Sequence, residues 1–348
     1  MTKAHLGALM LCGFSISMPI LSSELNIYLW EDTISPQIIS EWSENTKTNI
    51  HLYHFDNDDE RSLLMVKSLQ LPFDIVVLDN VSALIYSRLK TFEDLSDLEN
   101  RKYNDNKWNQ ACGSHAIPYF WGTVGIAYKK SKVTEAPTKW TDFLDMPDTL
   151  KGHVGMLTDT VETLLPALYS QSQSPITDDQ AALKKAYQAM LSVNPNILTY
   201  EYVLSYVRSH PDSDNLHMAL AYSGDQYSLN KYFGGDDWDF VTPNGKPYIW
   251  VDCLAINSNS KNKQQAKAFL NYLMLPETAA TNAKDIKAAT PNLSALKLMP
   301  NSYQNDASLF PDPTLLEQGI IDSELIPTNI SLRAKIINSI LEQHEAQQ

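Results

Sequence analysis

The chain carries none of the signatures that mark common enzyme families. G-x-S-x-G, H-E-x-x-H, the phosphate-binding P-loop and the dinucleotide fingerprint G-x-G-x-x-G are all absent. The eight histidines do not cluster, and His51 and His54 would diverge on a strand. No catalytic residue, metal ligand or cofactor is therefore expected. Basic residues are scarce: 27 Lys and Arg stand against 41 Asp and Glu, for a net charge of −14. That balance argues against nucleic acid as a partner and favours cations. Beyond the first 23 residues no apolar run is long enough to span a membrane. Cysteine is limited to three residues, Cys12, Cys112 and Cys253.

Residues 1–23 stand apart. Lys3 is their only charged residue, Leu6 to Ile20 is largely apolar, and Ser22-Ser23 suits a cleavage site. This reads as a signal peptide, so the mature protein is expected to be exported, periplasmic and soluble. Cys12 follows Met-Leu rather than small residues, which argues against a lipoprotein site. Export permits a disulfide between Cys112 and Cys253; a buried free thiol is the alternative for Cys253. The length, 348 residues, exceeds what one compact core usually holds, so two domains are expected.

One stretch organises the rest. Tyr248–Asn257 reads Y-I-W-V-D-C-L-A-I-N, between the turn residues N-G-K-P and a polar run. This is a buried strand with a carboxylate, Asp252, in its middle. Residues two apart share a face, so Trp250 and Asp252 point the same way. A buried carboxylate needs hydrogen bonds or a cation. An indole beside it is half of an alkylammonium site: the ring face takes methylenes and charge, and the oxygens take N–H donors. The plainer alternative has Asp252 on backbone N–H groups and Trp250 in the core.

Along the chain, expected strands at Leu25–Trp30, Ile50–Phe55, Phe73–Leu78, Ala116–Tyr128, His153–Leu157, Met218–Tyr222, Phe240–Pro243 and Tyr248–Ile256 alternate with helical segments. Helices are expected at Ser35–Trp42, Glu60–Leu69, Ser82–Leu89, Phe92–Leu95, Thr158–Tyr169, Thr177–Leu191, Tyr200–Arg208, Lys263–Met274 and Ser331–Glu345. The acidic run Asp56–Glu60 lacks the glycine and terminal acid of a calcium loop. The alternation argues for α/β architecture. The expected division is a first lobe of residues 24–128 plus 254–302 and a second of 129–253 plus 303–348. A cleft lies between them.

Acids recur beside aromatics at strand ends: Trp30 with Asp32, Asp79 after the third strand, Tyr222 with Asp225, Trp250 with Asp252. Asp159 and Glu162 are three apart, on one face if helical, which equally suits a capping pair. Asp79 equally suits a helix cap. Carboxylates gathered at one cleft repel unless a polycation neutralises them. The residues alone point to a solute-binding protein for a cation.

From about Leu25 onward, the chain resembles the periplasmic spermidine/putrescine-binding proteins. W-E-D at Trp30–Asp32, F-D-I-V-V at Phe73–Val77, I-P-Y-F-W-G at Ile117–Gly122 and L-T-D-T-V-E at Leu157–Glu162 carry the resemblance. S-G-D at Ser223–Asp225, I-W-V-D-C-L-A-I at Ile249–Ile256 and T-P-N-L after Ala289 continue it in order. The resemblance implies a type II periplasmic binding protein: two α/β lobes, each a mixed sheet flanked by helices, closing on a ligand. It implies that Trp30 and Trp250 sandwich an aliphatic chain, with Tyr222 in place of a family Trp. Asp32, Asp225 and Asp252 would hold amines, and Asp159 with Glu162 a terminal amine. Asp79 stands where transport members have Ser, Ala288 where they have Tyr, and Asp322 where Gln is usual. These added acids, with D-N-D-D-E-R-S-L-L at Asp56–Leu64, resemble the branch that senses norspermidine and spermidine. The implied partner is an inner-membrane receptor with cyclic-di-GMP domains that tunes biofilm formation. The alternative is an ABC permease, with the chain as an importer subunit. A monomer is expected.

Overall fold

The computed structural model describes residues 23–55, 65 and 73–347. Apart from Ser23, the expected signal peptide lies outside the described residues. So do the acidic run Asp56–Glu60, the segment Asp56–Leu64 and, but for Met65, the expected helix Glu60–Leu69.

Ten strands occur among the described residues. They are β1 Ser23–Trp30, β2 Thr48–Phe55, β3 Ile75–Asp79, β4 Ala116–Lys129 and β5 Val154–Gly155, then β6 Ile197–Thr199, β7 Met218–Tyr222, β8 Trp238–Val241, β9 Tyr248–Ile256 and β10 Ile320–Ile321. β1 runs parallel to β2 and β3, and β9 lies antiparallel between β3 and the first half of β4. From Val124 onward β4 leaves β9 and pairs with β7 and β8; β7 continues to β5 and β6. β10 lies parallel to the start of β9. All 14 residues of β4 are buried, which accounts for a sequence in which only Thr123 and Lys129 interrupt the apolar pattern.

The apolar side chains form two principal cores. On β4 the division falls between Trp121 and Val124; on β9 it falls between Tyr248 and Ile249. A smaller cluster around Val203, Leu229 and Trp238 extends the second. The molecule is thus two-lobed, and both long strands cross from one lobe to the other.

Cys112 and Cys253 form a disulfide, their Cα atoms 5.7 Å apart, which settles the two alternatives left open. It ties the helix Asn106–Cys112 to β9 inside the first core, where both cysteines are fully buried.

Several expected elements differ. Phe92–Leu95 is not a helix; Phe92 forms an isolated antiparallel bridge to Asn257, just past the end of β9. The helix expected from Thr158 to Tyr169 begins only at Glu162 and is two pieces, a 3₁₀ turn Glu162–Leu164 and a helix Leu165–Ser170. Pro166 lacks an N–H and suits the first turn of a new helix, not the interior of an old one. The helix Pro276–Ile286 was not anticipated.

Candidate functional site

The site is built from strand ends. Trp30 ends β1, Asp79 ends β3 and Tyr222 ends β7, while β9 supplies Trp250 and Asp252 from its middle. Within β9, Trp250 and Asp252 are the two positions that are not fully buried, as an i, i+2 pair on one face requires. Asp79 stands across from Asp252 in the β3–β9 register. Like charges placed so repel, and a cation between them is favoured. Asp79 also caps the helix Asn80–Arg88 by accepting from the Ser82 N–H at 2.7 Å.

Aromatic rings line the same region. The Trp30 indole N–H donates to Asp252 Oδ1 at 3.4 Å, so the plainer reading of Asp252 on backbone N–H groups is incomplete. Tyr222 meets Trp250 edge-on with centroids 6.0 Å apart, and Tyr202 lies 5.6 Å from Tyr222. Gly122 permits this approach, since a Cβ there would stand 2.5 Å from the Trp250 ring.

Tyrosine hydroxyls hold three further acids, Glu162, Asp225 and Asp322. Tyr222 donates to Glu162 Oε2 at 2.5 Å. Tyr202 donates to Asp225 Oδ1 at 2.6 Å, and the Tyr222 N–H donates to Asp225 Oδ2 at 2.8 Å. Tyr248 donates to Asp322 Oδ1 at 2.6 Å. Burial pushes the Asp225 carboxyl up to about 7, against the pull of its two donors. Burial pushes Asp322 up to about 7 as well; the Tyr248 hydroxyl opposes this, and the charges of Asp79 and Asp159 add to it. Burial raises Tyr202 and Tyr248, and Asp225 and Asp322 raise them further, so both remain donors.

Asp159 and Asp32 have partners of their own within the chain. Asp159 and Glu162 do not share a helix face. Asp159 lies before the 3₁₀ turn and accepts from the N–H groups of Val161 at 2.6 Å and Glu162 at 2.7 Å. Asp159 is thus a turn cap whose charge is felt at Asp322 and Tyr248. Asp32 is exposed in the turn after β1, with a left-handed φ of 57°, and its nearest cation is Arg208 at 3.7 Å.

Sequence reading passed over Tyr202, Tyr248, Gly122, Arg208 and Arg333. Arg333 is fully buried and donates to Asn329 Oδ1 and to the carbonyls of Thr160, Pro175 and Thr177. Burial lowers its guanidinium below the ordinary arginine value, and Tyr248, Asp159 and Asp322 oppose that fall, which places it behind the acid group. Its one sequence signal is spacing: Arg333 precedes Ile336, Ile337 and Ile340 by three, four and seven, on the buried face of the helix Pro327–Glu345.

The arrangement suits an alkylammonium ligand, with aromatic faces for methylenes and carboxylates for N–H donors. Residues 49–311 match the family model described as bacterial extracellular solute-binding protein. The chain belongs to that family.

This solute-binding protein is 59% identical over 323 residues to the norspermidine sensor of Vibrio cholerae serotype O1, covering 93% of this chain and 90% of that one. It is 29% identical over 323 residues to the putrescine-binding periplasmic protein SpuD of Pseudomonas aeruginosa, covering 84% and 85%. Among solved structures, a spermidine/putrescine ABC transporter substrate-binding protein from Streptococcus pneumoniae aligns with a TM-score of 0.77 at 23% identity. That alignment covers 94% of this chain and 99% of the other. The solute-binding protein thus has the type II periplasmic binding protein fold, and the expected kinship with spermidine/putrescine-binding proteins holds. Its relatives are binding and sensor proteins, not enzymes.

Proposed function

We propose that this protein is exported with loss of residues 1–23 and binds a triamine, norspermidine or spermidine, in the periplasm. Occupancy is then reported to an inner-membrane receptor with cyclic-di-GMP domains that controls biofilm formation. The observation that carries the binding reading is the Trp250–Asp252 face of β9, with Trp30 hydrogen-bonded to Asp252 and Asp79 across the ladder. Trp30, Tyr222 and Trp250 would take the methylenes. Asp79, Glu162, Asp225, Asp252 and Asp322 would supply negative charge for the amines, with Asp159 acting through its field.

The identity of 59% over 93% of the chain to a norspermidine sensor supports sensing. Lobe closure is the natural signal, because both lobes contribute to the site and a ligand touching both favours the closed state. We place the lobe crossings at residues 121–124 and 248–250, where the cores divide. The likeness to a transporter substrate-binding protein favours a second reading, an ABC importer subunit. Co-purification with solubilised membranes, with and without spermidine, tests the partner: recovery of a cyclic-di-GMP receptor supports signalling, and recovery of a permease supports import. Calorimetry showing no heat with either triamine removes both readings.

A further inference from the structure

Arg208 lies on the helix Val203–Ser209, whose Val203, Tyr206 and Val207 pack in the cluster extending the second core. Its guanidinium crosses to the first lobe. Nη1 is 2.7 Å from Glu31 Oε2 and Nη2 is 3.7 Å from Asp32 Oδ2. Both ends of this link are anchored. On the first lobe, Thr33 Oγ1 donates to the Trp30 carbonyl at 2.7 Å, and Tyr119 donates to the Thr33 carbonyl at 2.6 Å. On the second, Tyr202 just before the helix grips Asp225. One short segment therefore holds a site acid at one end and the opposite lobe at the other.

We propose that Arg208 is a positioning residue for ligand binding, a latch between the lobes, and that Asp32 serves this latch rather than an amine of the ligand. Asp32 is 67% exposed and faces the guanidinium, unlike the half-buried Asp252 and Asp79. The link exists only while the turn after β1 and the helix Val203–Ser209 are apposed, so it stabilises the closed cleft whatever polyamine fills it. The proposal rests on the polyamine-binding reading above.

Its test is a titration of norspermidine, spermidine and spermine into the full mature chain and its variants, with dissociation rates by stopped flow. Arg208→Gln is expected to weaken every polyamine that binds by one common factor, about 1.5- to 5-fold for a pair this exposed, through faster release. Arg208→Lys should recover part of the loss, and Asp32→Asn should add nothing on the Arg208→Gln background. Tighter binding by Arg208→Gln, with a separate large loss in Asp32→Asn, would show that Arg208 competes with the ligand and overturn the latch. Unchanged affinity and release would overturn it equally. If the unaltered protein binds no polyamine, the functional reading fails; the latch is then judged on the ligand-free chain. There, Arg208→Gln must raise the radius of gyration in solution scattering, and an unchanged value overturns it.

Discussion

Asp225 and Asp322 link ligand binding to pH. Each carboxyl moves from an ordinary 3.8 to about 7, chiefly through burial. A cationic ligand favours the ionised form of both. A group with a pKa near 7 is about one-tenth ionised at pH 6 and about nine-tenths ionised at pH 8. Affinity should therefore rise about tenfold per carboxylate engaged over that range, close to 1.4 kcal/mol each. A ligand engaging both gains about a hundredfold, and its binding at pH 6 releases nearly two protons. The assay is calorimetry at pH 6, 7 and 8 in buffers of different ionisation enthalpy, which counts the protons. The ligand-free protein has the opposite dependence. Between pH 3.8 and 7 the folded state holds more protons than the unfolded state, so stability falls as pH rises through that window. The fall is at most about 4 kcal/mol per group. Affinity flat from pH 6 to 8, with no proton release at pH 6, would refute this reasoning.

Asp252→Asn and Trp250→Ala should each weaken triamine binding by about 1–3 kcal/mol, the range for a charged hydrogen bond or a buried ring over a cation. Unchanged affinity in both would mean that the ligand lies elsewhere; melting curves of the free variants check that the fold is kept. Joint replacement Cys112→Ala and Cys253→Ala should lower the melting temperature strongly. Across 141 residues the chain-entropy model gives about 5 kcal/mol for the lost cross-link. An unchanged melting temperature would contradict it.

Much of the frame was readable from local pattern. β9 announced itself through an apolar run broken by Asp252, and its burial pattern places Trp250 and Asp252 on one face. β4 was equally plain, because a strand buried along its whole length is apolar at nearly every position; Thr123 and Lys129 are the exceptions. What stayed hidden depends on residues far apart in sequence. Tyr248 and Asp322 are 74 residues apart, and only the pairing of β10 with β9 brings them together. Nothing local to Asp32 showed that Arg208, 176 positions further along the chain, would reach it. Asp159 could be read as cap or ligand, and the backbone N–H groups of Val161 and Glu162 that meet its Oδ1 show the capping contact. The helix Pro276–Ile286 went unrecognised because much of its buried face is polar or small: Thr278, Ala280, Asn282 and Ala283.

The central claim is that the cleft holds a triamine. Calorimetry of the mature chain at pH 8 with putrescine, norspermidine, spermidine and spermine tests it most directly. Saturable one-to-one binding of norspermidine and spermidine, tighter than that of putrescine and lost in Asp252→Asn, is the expected result. Absence of heat with all four, or equal binding by Asp252→Asn, would contradict it.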